Sequence, residues 1–142
     1  MIVVTGGAGF IGSYLVGALC ARGDQPVFVC DGIDSPEKEA NLCKHNVADT
    51  IAPEDLFDWL AQQGDAVTAV LHMGASSSTV ETNADFILDN NLDYSLKLWR
   101  WCASNDVRLI YASSAATYGD GANGFTDDND AVALAALKPQ NL

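Results

Sequence analysis

Thr5-Gly6-Gly7-Ala8-Gly9-Phe10-Ile11-Gly12 is the stretch that decides the fold of this chain. It stands between a β-branched run, Ile2 to Thr5, and apolar residues at helical spacing, Ile11, Leu15, Ala18 and Leu19. Glycines three positions apart at a strand-to-helix junction have a mechanical reading. Gly6 permits the tight turn, Gly9 lets a pyrophosphate approach the backbone, and Gly12 lets the helix pack closely on the strand. The helix N-terminus then presents free N–H groups and a partial positive charge to phosphates.

Outward from this turn the strands and helices alternate. Gly23 closes the first helix, and Val27 to Cys30 is a buried strand ending at Asp31. The polar stretch Gly32 to Ala40 reads as a loop, and a weak third strand is expected around Leu42 to Val47. Pro53-Glu54-Asp55 opens a helix with Leu56, Phe57 and Leu60 on its apolar face. Val67 to Leu71 reads as strand four, Ala84 to Ser104 as a long helix, and Leu109 to Ala112 as strand five. Ala131 to Leu137 is expected to make a short helical turn. Nearly all-apolar strands between helices indicate a parallel sheet covered on both faces. The expected fold class is therefore α/β, a Rossmann-type doubly wound sheet of about five strands, with residues 1–142 as the N-terminal part of one dinucleotide-binding domain.

Asp31 follows the glycines at the end of strand two, where an acid accepts hydrogen bonds from ribose hydroxyls and favours NAD. Lys38 is a cation within reach that would instead accommodate a 2′-phosphate, so NAD and NADP both stay open. Ser114, after strand five, lies where ligands bind in open α/β sheets. Its hydroxyl can hydrogen-bond a ligand oxygen there and stabilise charge developing on it. Asn90 shares a helical face with Ile87, Tyr94 and Leu98, and a polar amide there needs partners. His72 ends a buried strand and reads as a satisfied core histidine rather than a base. Trp99 and Trp101 cannot share one face, so one is expected to pack and the other to be exposed.

Composition sets the outer bounds. The 142 residues carry 19 acids against 7 basic residues, a formal net charge of -12. Such a chain repels nucleic acid and anionic membrane surfaces. Four cysteines, without Cys-x-x-Cys spacing, read as reduced thiols of a cytoplasmic protein. No apolar run is long enough to span a bilayer. No cluster has metal-ligand spacing, so no metal is expected.

Two further segments are more specific than the glycines. His72-Met73-Gly74-Ala75-Ser76-Ser77-Ser78-Thr79-Val80-Glu81 and Tyr111-Ala112-Ser113-Ser114-Ala115-Ala116-Thr117-Tyr118-Gly119 resemble the corresponding segments of the ADP-L-glycero-D-manno-heptose 6-epimerase family. That family belongs to the extended short-chain dehydrogenase/reductases, and Asp89-Asn90-Asn91 matches between the two segments. The resemblance implies an isomerase that inverts C6″ of ADP-glycero-manno-heptose, a lipopolysaccharide core precursor. It does so by transient oxidation and re-reduction through one bound NADP or NAD per subunit. The resemblance also implies a homo-oligomer.

Residue by residue, the resemblance places Phe10 and Ile11 beside the pyrophosphate, and Asp31, Gly32 and Lys38 around the adenosine ribose. Met73, Gly74, Ala75, Ser76 and Ser77 run along the cofactor, Asn90 touches it, and Ser114 is the catalytic serine. Met73 stands where the family has an acid and Gly32 where asparagine is common, which bears on nucleotide preference. The family's Tyr-x-x-x-Lys base is not in these 142 residues. Lys138-Pro139-Gln140-Asn141-Leu142 resembles its lead-in, and this stretch alone is not expected to turn over. Tyr111 and Tyr118 lack a lysine four positions on. Two other readings stand beside this one: a different sugar-nucleotide epimerase or dehydratase, and a non-catalytic dinucleotide-binding module.

Overall fold

The computed structural model describes residues 1–76, 83–128 and 130–139. The chain divides into two compact units, Met1–Tyr111 and Ala112–Leu142. In the first unit five parallel strands form one sheet in the order β3-β2-β1-β4-β5. They are β1 (Ile2–Thr5), β2 (Val27–Cys30), β3 (Asp49–Ile51), β4 (Ala69–His72) and β5 (Arg108–Tyr111). The order reverses direction between β1 and β4. That reversal is the topological switch at which open α/β sheets bind ligands.

Successive strand residues face opposite sides, so β1, β2 and β4 each feed two cores. Val3, Cys30, Ile51, Val70, Leu56, Leu60, Leu98 and Cys102 pack on one face, under α3 (Leu56–Gln63) and α5 (Tyr94–Ser104). Val4, Ala8, Val16, Val27, Val29 and Leu42 pack on the other, under α1 (Phe10–Arg22) and α2 (Pro36–Leu42). Each leucine or valine buried this way contributes about 1.5–3 kcal/mol. Both faces are covered over β1, β2 and β4, whereas Ile110 and Tyr111 of β5 are 49% and 55% exposed.

Three expectations need correction. The stretch Gly32 to Ala40 is not loop throughout, because α2 begins at Pro36. Ser35 caps it by accepting the Lys38 N–H at 3.3 Å, with proline at the first position and Glu37 and Glu39 in the first turn. The third strand is displaced to Asp49–Ile51, since Leu42 is spent as the buried end of α2. The fully buried residues of α1 are Gly12, Ser13 and Val16; of the apolar set chosen by spacing, Leu19 packs partly buried against the core. Ile11 is 66% exposed. The helix is apolar nearly all round, so hydrophobicity does not mark which side meets the sheet; small residues do.

The long helix occupies the expected span, with an irregularity. α4 (Ala84–Ile87) runs into a π-helical segment, Leu88–Asp93, before α5. Trp101 packs against Gly64 and the core, and Trp99 is 55% exposed. Among the described residues no helix is long and apolar enough to cross a membrane.

Candidate dinucleotide site

Parallel strands put their C-terminal ends on one edge, and the register aligns Thr5 with both Cys30 and His72. The turns that leave β1, β2 and β4 therefore gather at the switch point. Gly6 turns the chain with a φ of 64°, a left-handed conformation that glycine adopts without strain. Its N–H donates to the Cys30 carbonyl at 2.8 Å, which ties the turn to β2. A Cβ on Gly6 would lie 2.6 Å from the Gly74 nitrogen, so the turns after β1 and β4 are in backbone contact.

Gly9 caps α1 in extended conformation, and no side chain supplies a capping hydrogen bond there. The first turn of α1 carries no acid either. Its leading N–H groups and the positive end of the helix dipole are left for an anion. Phe10, 92% exposed, and Ile11 stand at this end of the helix.

Ala8 is held at both of its backbone groups. Its N–H donates to Asp31 Oδ2 at 2.9 Å, and its carbonyl accepts from Asn41 Nδ2 at 2.9 Å. Asp31 Oδ1 faces Lys38 Nζ at 3.2 Å. Lys38 also reaches the Gly32 carbonyl at 2.8 Å and Asp34 at 3.1 Å. Burial opposes the ammonium charge, but hydrogen bonds to Asp34 and Asp31 outweigh it and raise the Lys38 pKa above the ordinary lysine value. A ribose hydroxyl and a phosphate thus have one acid and one cation side by side.

On the β4 side, Met73 N–H donates to the Thr5 carbonyl at 3.1 Å and Gly74 N–H to Thr5 Oγ1 at 3.1 Å. Asn91 clamps Ser76 in both directions. Ser76 N–H donates to Asn91 Oδ1 at 2.7 Å, and Asn91 Nδ2 donates to the Ser76 carbonyl at 3.0 Å. Asn90, half-buried, donates to the same Asn91 Oδ1 at 2.9 Å. Ala75 is exposed at the tip of this turn. Ser77, with Thr79 and Glu81, lies outside the described residues.

His72 is 1% exposed and bonded through both ring nitrogens, to Thr5 and to Ser95, which makes it the satisfied core histidine expected. Tyr94 donates to the Pro53 carbonyl at 3.1 Å, and burial raises its phenol pKa well above the ordinary value. The four cysteines are free thiols, as expected.

The structure thus joins Gly6, Gly12, Asp31, Gly32, Lys38, Met73, Gly74, Ser76 and Asn90 along one sheet edge. Reading the sequence missed Asn41 and the clamping role of Asn91. Asn41 has a usable signal, since it lies three residues after Lys38 on one face of α2. Nothing local marks Asn91 over Asn90.

Ser114 belongs to the second unit. It caps a 3-10 turn, Ala115–Tyr118, accepting the Ala116 N–H at 3.2 Å, and its side chain is exposed. A cavity of about 690 Å³ within this unit is lined by Ser113, Ser114, Thr117, Tyr118, Thr126 and Asp127, among others. Asp130 caps α6 (Ala131–Ala135), the short helical turn expected here.

With this geometry in view, the likenesses to known proteins have a structural basis. Residues 2–141 match the NAD dependent epimerase/dehydratase family. A Fusobacterium nucleatum protein named ADP-L-glycero-D-manno-heptose-6-epimerase is 44% identical over 99% of this chain, which covers 43% of that protein. A Nitratidesulfovibrio vulgaris protein of the same name is 46% identical over 100% of the chain and 44% of its own length. Among solved structures, a UDP-N-acetylglucosamine 4-epimerase from Methanobrevibacter ruminantium aligns with a TM-score of 0.73 at 36% identity, over 91% of this chain and 42% of that one. The ADP-L-glycero-D-manno-heptose-6-epimerase of Helicobacter pylori aligns with a TM-score of 0.66 at 29% identity, over 84% of this chain and 40% of that one. The chain spans less than half the length of these relatives. The parallel sheet, the glycine turn at its switch point and the family match agree: this chain belongs to the NAD dependent epimerase/dehydratase family.

Proposed function

We propose that residues 1–142 are the dinucleotide-binding part of an ADP-glycero-manno-heptose 6-epimerase, an isomerase supplying lipopolysaccharide core precursor. The observation that carries the binding reading is the uncapped start of α1 beside the Asp31–Lys38 pair at the switch point. The heptose comes from the names of the relatives at 44% and 46% identity. A nicotinamide held in this crevice would accept hydride from a carbinol carbon and return it to the opposite face of the resulting ketone, an inversion with no net redox.

The chain's own residues bind and orient. Gly9, Phe10, Ile11 and Gly12 receive the pyrophosphate on backbone N–H groups. Asp31 accepts from ribose hydroxyls while Gly32 leaves room, and Lys38 neutralises a 2′-phosphate when NADP binds. By the family resemblance Met73, Gly74, Ala75, Ser76, Ser77 and Asn90 would lie along the nicotinamide side. Ser114 donates a hydrogen bond to the substrate oxygen at the reacting carbon.

A second reading, a UDP-sugar 4-epimerase, is favoured by the TM-score of 0.73 to the Methanobrevibacter ruminantium enzyme. One experiment separates them. The whole protein is loaded with NAD or NADP and offered ADP-D-glycero-manno-heptose, UDP-glucose and UDP-N-acetylglucosamine. Product epimers are then resolved by proton NMR. Turnover of the heptose alone supports the proposal, and turnover of a UDP-sugar alone replaces it. Cofactor binding with no turnover of any sugar leaves a non-catalytic module.

A further inference from the structure

Beneath the crevice a hydrogen-bonded chain runs through His72, and its two ends fix its direction. Ser95 Oγ donates its single proton to the Asn91 carbonyl at 2.7 Å. At 2.8 Å from that same oxygen, His72 Nε2 must therefore be the donor. At the other end Gly74 N–H already donates to Thr5 Oγ1. A neutral imidazole has one N–H, here on Nε2, so Nδ1 accepts the Thr5 hydroxyl proton across 2.5 Å. Read in order, Gly74 N–H gives to Thr5, Thr5 to His72, His72 to Ser95, and Ser95 to the Asn91 carbonyl. With a neutral ring, only this assignment gives every proton in the chain an acceptor.

The surroundings keep the ring neutral. Among the described residues, the hydrogen-bond and ring partners of His72 are Thr5 from β1, Tyr94 and Ser95 from α5, and Tyr111 from β5. None is a carboxylate or a cation. Burial lowers the His72 pKa below the ordinary histidine value. A second proton would put N–H against Thr5 Oγ1 and deprive the Thr5 hydroxyl of its acceptor.

We propose that His72 is a positioning residue, fixed as the neutral Nε2–H tautomer, which sets the Gly74 turn and the Asn91 clamp before a dinucleotide enters. The proposal rests on the dinucleotide reading of the crevice. His72 meets no phosphate or ribose itself. It acts through Thr5 on the turn that touches Gly6, and through Ser95 on the segment whose Asn91 holds Ser76.

The test uses the whole protein with nitrogen-15 in its imidazoles. Two-bond proton–nitrogen correlation without ligand should show His72 as the Nε2–H tautomer, unchanged from about pH 6 to 8. Ser95→Ala and Thr5→Val should each weaken NAD(P) binding about fivefold to tenfold, because each strands a buried partner. Thr5→Ser, which restores the hydroxyl, should bind like the wild type. If Thr5→Val does not fold, Ser95→Ala with Thr5→Ser decides the matter. An Nδ1–H or charged ring, or a folded Ser95→Ala protein that binds as tightly as the wild type, would overturn the proposal. A wild-type protein that binds neither nucleotide overturns the crevice reading and the positioning role together. The tautomer, read without ligand, would then still report whether the chain runs in the stated direction.

Discussion

The Gly6 carbonyl oxygen lies 2.1 Å from where a Cβ on Gly12 would stand. The turn leaving β1 and the first turn of α1 meet backbone to backbone, with no room for a methyl group. This refines the expected role of Gly12, because its close neighbour is the Gly6–Gly7 turn rather than the strand. Gly12→Ala must therefore move backbone. We expect a loss of at least about 2 kcal/mol in urea unfolding of the whole protein, with dinucleotide binding lost as well. A variant with an unchanged urea midpoint and unchanged binding would refute this packing.

Lys38 contacts Asp31, Asp34 and the Gly32 carbonyl, and its side chain is only 31% exposed. In the proposed site it is the group that tolerates a 2′-phosphate beside an acid. Lys38→Ala should raise the Kd for NADP by about tenfold and that for NAD by less than about threefold, after allowing for solvent screening. Titration calorimetry with both nucleotides measures this directly. Equal losses would mean that Lys38 only holds Asp31 in place.

Thiol chemistry should follow burial. Burial pushes Cys30 and Cys102 up to about 11, so at neutral pH they are almost wholly thiol, whereas Cys43 is exposed. Cys20 is intermediate, with its thiol donating to the Asn46 carbonyl at 3.4 Å. Mass spectrometry after brief iodoacetamide treatment should find Cys43 modified first and Cys30 and Cys102 only on unfolding. Early labelling of Cys30 would contradict the packing of β2.

Stability should depend on pH through His72. Its folded pKa is lowered by burial, so below the unfolded value of about 6.5 the unfolded chain binds the extra proton. The contribution is present in full above that value and is lost as pH falls toward the folded pKa. The slope is at most about 1.4 kcal/mol per pH unit for one group. Urea midpoints of wild type and His72→Gln, compared across this window, isolate the term. Parallel pH profiles for the two proteins would rule it out.

What could be read from the residues was what local chemistry determines. The glycine turn, Asp31 at a strand end, the helix after Pro53 and the alternation of elements all rest on short-range rules, and they stand as expected. α2 was equally legible, since Ser35-Pro36-Glu37 is a helix start, but the polarity of the stretch disguised it. The buried face of α1 was hidden for another reason: in a helix apolar all round, contact with the sheet is selected by the small size of Gly12 and Ser13. Thr5 and Ser95 as partners of His72 depend on strand pairing and helix placement. They are 67 and 23 residues away from it. No spacing rule reaches that far.

The π-helical segment Leu88–Asp93 has a consequence for how this chain tolerates change. A π turn takes up more residues than an α turn, each turning the helix by less than the roughly 100° of an α residue. Deleting one residue there would let the segment rewind as α-helix with everything after it still in phase, so Ser95 would keep facing His72 and Leu98 the core. What such a deletion would disturb is the segment itself, where Asn90 and Asn91 meet and Asn91 holds Ser76. In this stretch the extra residue shapes the clamp rather than the course of the helix.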